Sequence, residues 1–473
     1  MQLKSAIKQL DLLCYMVEAL ELYSGVARRV LWESPWLKDA QALVAQTALL
    51  HKYYAAQTNA DIRIVLSREL LQIKLAGIRD IRGSLLRLQD GGTPDDVEWF
   101  EIKSFVLLSQ EIRDLLPACG MADLRLPSLE NLIRLLDPEG HRIPSFYIYD
   151  AYSIELAELR KQLGSKMEEM DAQGRLELFE KMSRVEARIR EMLAEKARPY
   201  VADSLDALQQ IALIDIGFAK AKQMVQWGLV IPKIAEINGL TAYKGLFHPQ
   251  IATRLAEEGR AFQPIDIAFG PSPTLITGSN MGGKTVVLNM IATAQCLFQF
   301  GFAVPAHDAL VAPVDGVALS LLRKNEAHRG LSSYASEVVH IDGIIKDIRK
   351  GRRLLAIFDE PAQTTNPTEG VALVSALLAL LAQKQVRAVL TTHYSGISGP
   401  FSRLRVRGFS EEALTESLTA QNIEKYMNYS LVKASEDAQA PKEALRVARL
   451  LEVDAEWLAL SQAQLEPDNS KIP

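Results

Sequence analysis

The chain has 473 residues, with 53 Lys and Arg against 58 Asp and Glu and a formal net charge of −5. With 48% hydrophobic and 23% charged residues it has neither a disordered nor a membrane-spanning composition, and its length leaves room for roughly two or three domains with cores of their own. The acidic balance gives no whole-chain attraction to nucleic acid, whose binding rests on neutralising phosphates. From the N-terminus, Leu3, Ile7, Leu10, Cys14, Val17 and Leu20 recur at helical spacing, as do Ile73, Ile78, Ile81, Leu85 and Leu88, and both sets read as core-facing stripes. Gly91-Gly-Thr-Pro-Asp95 interrupts the pattern, and a further helix follows through Phe100, Phe105, Leu108, Ile112 and Leu115.

The passage from Leu126 to Ser145 is loop-rich. After it, a charged helical tract runs from Tyr152 to about Lys196, with Leu178, Met182, Val185 and Ile189 on one side, the pattern of a helix pair or a short antiparallel coiled coil. The chain then returns through Leu208-Gln-Gln-Ile-Ala-Leu-Ile-Asp-Ile-Gly-Phe-Ala219 to a loop bearing His248-Pro249.

The most informative stretch is Gly278-Ser279-Asn280-Met281-Gly282-Gly283-Lys284-Thr285, which fits the phosphate-binding pattern G-x-x-x-x-G-K-[ST] in full. The apolar run Thr274-Leu-Ile-Thr277 precedes it and a helix-patterned segment from Val286 follows, as the chemistry requires, because backbone N–H groups and the positive dipole end converge at a helix N-terminus. Lys284 then reaches the terminal phosphates and Thr285 ligates Mg²⁺. Further on, Arg353-Leu-Leu-Ala-Ile-Phe358 reads as a buried parallel strand ending in Asp359-Glu360. This is a Walker B pattern, with Asp359 for the metal and Glu360 for the attacking water. Another strand, Val386 to Thr392, delivers His393 at its C-terminal end, the edge where open α/β sheets bind ligands. Between these strands, Lys346-Asp-Ile-Arg-Lys-Gly-Arg-Arg353 closes a helix and reads as a solvated basic end, while Val371 to Ala382 reads as a buried helix too short to cross a bilayer. Cys14, Cys119 and Cys296 are scattered without metal spacing, and Met1-Gln-Leu-Lys-Ser lacks the order of a secretory leader; the expectation is a cytoplasmic protein without structural disulfides.

These motifs, together with Phe302-Ala-Val-Pro-Ala306, Gly330-Leu-Ser-Ser-Tyr-Ala-Ser-Glu337, Thr365-Asn-Pro-Thr-Glu-Gly370 and Thr391-Thr-His-Tyr394, resemble in order and spacing the ATPase domain of the MutS family. The resemblance covers about residues 262 to 400 and extends loosely to the helices before them. It implies an α/β P-loop NTPase domain with a mostly parallel sheet of the ABC and MutS type, preceded by an all-α core and lever region. The domains it suggests are a helical core at 1–125, connector and lever-like helices at 126–258, the P-loop ATPase domain at 259–408 and a C-terminal helical dimerisation appendix at 409–473. It also implies ATP and Mg²⁺ as ligands, Glu360 and His393 as catalytic residues, and a homodimer or heterodimer in which Ser332 reaches the partner's nucleotide.

Two departures shape the functional expectation. The mismatch-reading family members carry an N-terminal domain with a Phe-x-Glu wedge, whereas here the helical core begins close to Met1 and the clamp is short or missing; Phe409-Ser-Glu411 matches the wedge in letters but lies beyond the ATPase strands. Pro361 and Gln363 also stand where the family has a Gly-Arg-Gly-Thr run. Compact MutS-like chains of this layout resemble the ATPase subunit of reactivases for cobalamin-dependent aminomutases such as lysine 5,6-aminomutase. The layout and acidic balance therefore favour a protein client. The alternative is a DNA-binding ATPase of repair or recombination whose duplex binding is weak and not mismatch-specific.

Overall fold

In a computed structural model, residues 1–166, 171–278, 282–321, 333–409, 426–434, 445, 448 and 453–463 are described. They fall into two compact units, one made of Met1–Ala19, Pro35–Leu50 and Gln223–Pro473 and the other of Leu20–Ser34 and His51–Lys222. Both ends of the chain belong to the first unit.

The helices of the N-terminal half are α1 (Leu3–Ala6), α2 (Asp11–Glu18), α3 (Ala27–Glu33), α4 (Ala40–Thr58), α5 (Ile62–Ala76), α6 (Arg82–Gln89), α7 (Asp96–Leu115), α8 (Glu130–Leu136), α9 (Ile154–Lys166), α10 (Ala172–Ala197) and α11 (Val201–Trp227). Of these, α3 and α5 to α10 lie wholly in the second unit, whose regular elements among the described residues are all helices. The break at Gly91–Asp95 is real: α7 starts there with a capping box in which Asp95 accepts from the Glu98 N–H and Glu98 accepts from the Asp95 N–H. The loop-rich passage contains α8, a single short helix. The charged tract forms the expected pair of helices. Ion pairs link Glu155 to Arg188 and Arg160 to Glu186, so numbers rise along α9 as they fall along α10, and the two run antiparallel. Leu178, Val185 and Ile189 are buried on α10. Of the second stripe assigned to the core, Ile78 and Ile81 between α5 and α6 and Leu85 and Leu88 on α6 are buried, whereas Ile73 on α5 is 68% exposed.

The first unit holds β1 (Lys233–Ile234), β2 (Thr241–Leu246), α12 (Pro249–Glu257), β3 (Ile265–Phe269), β4 (Pro273–Thr277), α13 (Lys284–Gln299), β5 (Asp308–Val311), β6 (Gly316–Ser320), α14 (Ser333–Arg349), β7 (Leu354–Phe358), α15 (Pro367–Gln383), β8 (Arg387–Thr392), β9 (Ser402–Phe409), β10 (Met427–Lys433) and α16 (Ala455–Ala463). A four-stranded mixed sheet has the order β1-β5-β2-β3, and a six-stranded sheet the order β10-β9-β4-β8-β7-β6. Among the described residues of the larger sheet, only the β10–β9 pairing is antiparallel. β10 is a correction to the sequence reading, which placed Leu431 in a helical appendix: Leu431 instead pairs with Val406 on β9.

All five residues of β7 are buried, the mark of a parallel strand covered on both faces. Leu354, Ala356 and Phe358 face a core shared with Ile344 and Ile348 of α14 and Val374, Leu378 and Leu381 of α15. By alternation, Leu355 and Ile357 point to the other face, where α13 is buried along nearly its whole length. α15 is not buried all round as expected, since Leu373 on its outer side is exposed. The first residues of the chain are tied to this unit by Trp36, whose indole N–H donates to the Val314 carbonyl at 2.9 Å. The basic run at the end of α14 is locally neutralised: Lys346 pairs with Asp342, Lys350 and Arg352 with Asp347, and Arg353 with Asp315.

Candidate nucleotide site

The order β4-β8-β7 puts β8 between the strand that feeds the glycine-rich loop and the strand that ends in Asp359-Glu360. Because Thr277 is in register with Thr392 and Phe358 with Leu390, the C-terminal ends of all three strands reach one level. This is the ligand-binding edge of an open parallel sheet.

Gly283 caps the start of α13 with a left-handed φ of 68°, and a Cβ there would lie 3.3 Å from the ring of Tyr429 on β10. Gly278 has φ 151° and leaves no slack for a side chain against Val406 of β9. Ser279, Asn280 and Met281, expected to line the loop, and Ser332, expected to act across a dimer, lie outside the described residues.

Lys284 is 4% exposed, and its ammonium donates to the Gly278 carbonyl at 2.7 Å and pairs with Glu360 Oε1 at 3.0 Å. Thr285 Oγ1 donates to Asp359 Oδ2 at 2.8 Å. His393 Nδ1 lies 3.6 Å from Glu360 Oε2, with the imidazole partly exposed at the mouth of the site. Lys284, Thr285, Asp359, Glu360 and His393, singled out along more than a hundred residues of sequence, are thus brought together by direct contacts. A buried ammonium, a hydroxyl against a carboxylate and the open N-terminus of a helix form a donor set suited to a polyphosphate and a hard divalent cation.

Three further residues belong to the site without having been assigned a role from sequence. Thr391 Oγ1 donates to Asp359 Oδ1 at 2.7 Å and accepts from the Glu360 N–H at 3.0 Å, so one hydroxyl fixes both carboxyl residues. Glu337, on α14, accepts from the Ala362 N–H at 3.1 Å, and burial pushes its carboxyl above the usual carboxylate range. Tyr394 donates its hydroxyl to the Ala362 carbonyl at 2.7 Å. The motifs containing these residues were visible, but their contacts join positions far apart in sequence, and no local pattern announces them. His248 has a structural role: its Nδ1 accepts from the Ile251 N–H and caps α12.

The family profile of MutS domain V matches residues 274–464, which takes in every one of the residues above from Thr285 to Tyr394. Among similar proteins, endonuclease MutS2 of Halothermothrix orenii is 31% identical over 236 residues, 49% of this chain and 28% of that protein. Endonuclease MutS2 of Symbiobacterium thermophilum is 31% identical over 247 residues, 51% of this chain and 29% of that protein. Endonuclease MutS2 of Streptococcus gordonii is 27% identical over 355 residues, 71% of this chain and 43% of that protein. The chain therefore spans less than half the length of these relatives. No helix among the described residues is long and apolar enough to cross a membrane.

Proposed function

The chain carries MutS domain V and is related to proteins named MutS2 endonuclease, and from that premise we propose that it is a Mg²⁺-dependent ATPase of MutS type that acts on DNA without reading mismatches. The observation that carries the ATPase reading is the constellation of Lys284, Thr285, Asp359, Glu360 and His393 at adjoining strand ends. Lys284 Nζ binds the terminal phosphates of ATP. Thr285 and Asp359 would hold Mg²⁺, which when bound supplies charge neutralisation for the phosphate oxygens. A carboxylate oxygen of Glu360 takes a proton from the attacking water as its oxygen bonds to the γ-phosphorus and the bond to the β–γ bridging oxygen breaks, giving ADP and phosphate. Thr391 holds the Glu360 backbone while this happens, and His393 lies against the same carboxylate.

The client is argued from the relatives. Their printed name is a DNA-directed one, and this favours DNA over the protein client that composition and layout had favoured; an aminomutase gains no support from the comparisons. Domain V is the matched part, so the motor rather than the cutting activity is what we carry over. The acidic net charge and the paired basic run of α14 leave the DNA term dependent on other surfaces and steeply dependent on salt. A homodimer or a heterodimer with a related subunit, with Ser332 completing the partner's site, is part of the same proposal.

Steady-state ATP hydrolysis with matched, mismatched and branched duplexes at near-physiological salt tests it. The proposal expects stimulation by DNA with no preference for a mismatch. Turnover indifferent to every DNA, but raised by a protein partner, would return the protein client to first place.

A further inference from the structure

We infer that Glu337 and Tyr394 are positioning residues for Glu360, acting by gripping Ala362 at both its N–H and its C=O. The inference rests on the ATPase reading of the strand-end site and names residues that reading does not use. Glu360 and Ala362 both have left-handed backbones, with φ of 48° and 62°, and neither is glycine. Such conformations are disfavoured for residues that carry a Cβ. Pro361 between them favours an extended residue before it, so the turn at Glu360 is held by contacts rather than by local preference.

Those contacts come from separate elements. Thr391 at the end of β8 accepts from the Glu360 N–H at 3.0 Å. Glu337, one turn into α14, accepts from the Ala362 N–H at 3.1 Å. Tyr394, next to His393, donates to the Ala362 carbonyl at 2.7 Å, and the Thr365 N–H adds a longer bond of 3.4 Å to the same oxygen. The Tyr394 backbone is fixed in turn, its N–H donating to Thr392 Oγ1 at 3.1 Å.

Gly370 on α15 is the second, independent sign that the hydroxyl of Tyr394 has a placed role. A Cβ at Gly370 would lie 2.3 Å from that oxygen, so the helix keeps room for it where any other residue would push it away. The ring of Tyr394 is part of the apolar core, and a phenylalanine would serve that core equally well. What the hydroxyl adds is a hold on the backbone two residues beyond Glu360. With the hold in place, the Glu360 carboxylate stays between Lys284 and His393, at 3.0 and 3.6 Å. Without it the loop can relax to an ordinary backbone and carry the carboxylate away from the water it must deprotonate.

The test separates position from binding. ATP dissociation constants, single-turnover hydrolysis rates and thermal midpoints are measured for the full chain as wild type, Tyr394→Phe, Gly370→Ala, Glu337→Leu and Glu337→Gln. We expect Tyr394→Phe, Gly370→Ala and Glu337→Leu to slow the chemical step by about tenfold to a hundredfold, as small misplacements of a catalytic group do, with ATP affinity within about twofold of wild type. Glu337→Gln, whose amide oxygen still accepts from Ala362, recovers most of the rate lost in Glu337→Leu. Rates within about twofold of wild type in all three variants would overturn the inference and leave the ATPase reading standing. A loss of ATP affinity and thermal stability in proportion to rate would also overturn it, as general damage. A wild-type chain that binds but never hydrolyses ATP would overturn the ATPase reading, and this inference with it.

Discussion

Replacing Thr391 with valine removes one hydroxyl and almost nothing else from the centre of the site. Thr391 is fully buried; its hydroxyl donates to Asp359 Oδ1 at 2.7 Å and accepts from the Glu360 N–H at 3.0 Å. Valine keeps the shape but leaves a buried carboxylate oxygen one donor short and a backbone N–H without an acceptor. A hydrogen bond to a charged group contributes about 1.5–3 kcal/mol and a stranded buried N–H costs about 1–3 kcal/mol. The extra apolar methyl returns roughly 1 kcal/mol, so Thr391→Val should destabilise the α/β unit by about 1.5–5 kcal/mol. With a urea dependence of about 2–3 kcal/mol per molar, the unfolding midpoint falls by about 1 M. Urea titration followed by fluorescence reads the shift, and single-turnover ATP hydrolysis on the folded variant reads the loss of alignment at Asp359 and Glu360. Thr391→Ser should restore both. A Thr391→Val chain with an unfolding midpoint and hydrolysis rate equal to wild type would refute the claim that this hydroxyl ties the two carboxyl residues together.

Two further outcomes concern stability. Burial pulls the imidazole of His248 from an ordinary 6.5 down to about 4, and its neutral Nδ1 accepts the Ile251 N–H that a protonated ring could not. The unfolded chain therefore binds the extra proton first, so this contribution to stability is present above about pH 6.5 and is lost as pH falls toward 4. His248→Asn keeps a capping acceptor and should show a smaller drop in melting temperature between pH 7.5 and pH 5 than wild type; equal drops would remove His248 as the cause. In the helical unit, Lys103 is 0% exposed and donates to Asp137 Oδ1 at 3.0 Å and to the Tyr149 hydroxyl at 2.7 Å. Lys103→Met should cost about 3–5 kcal/mol by removing the counter-charge of the buried carboxylate, and Lys103→Met with Asp137→Leu should recover much of it. A single variant as stable as wild type in urea would contradict the pairing.

How far the site was legible in sequence depended on whether its chemistry is local. The phosphate loop is one continuous segment with a fixed spacing, and β7 announces itself because a strand covered on both faces has no polar alternation to confuse with a helix. β10 was misread for the opposite reason. Its residues Met427 to Lys433 are mostly half-buried on an outer strand, and the alternation of Met427, Tyr429 and Leu431 that marks a strand is too short to stand out. On α5, periodicity identified an amphipathic helix but not which apolar residues are buried, and Ile73 stays exposed. The grip on Ala362 was beyond the sequence altogether. It depends on positive φ at Glu360 and Ala362, where no glycine signals it, and on partners 25 and 32 positions away.

The most direct test of the central claim compares ATP binding and single-turnover hydrolysis, with and without Mg²⁺, in wild type, Lys284→Ala and Glu360→Gln. Lys284 is the buried cation of the phosphate loop, and Glu360 is the carboxylate paired with it at 3.0 Å. The account predicts Mg²⁺-dependent hydrolysis by wild type and loss of binding in Lys284→Ala. It predicts retained binding in Glu360→Gln with hydrolysis slowed by about a hundredfold or more, the scale of a lost general base. Equal ATP affinity in wild type and Lys284→Ala, or undiminished hydrolysis in Glu360→Gln, would contradict it.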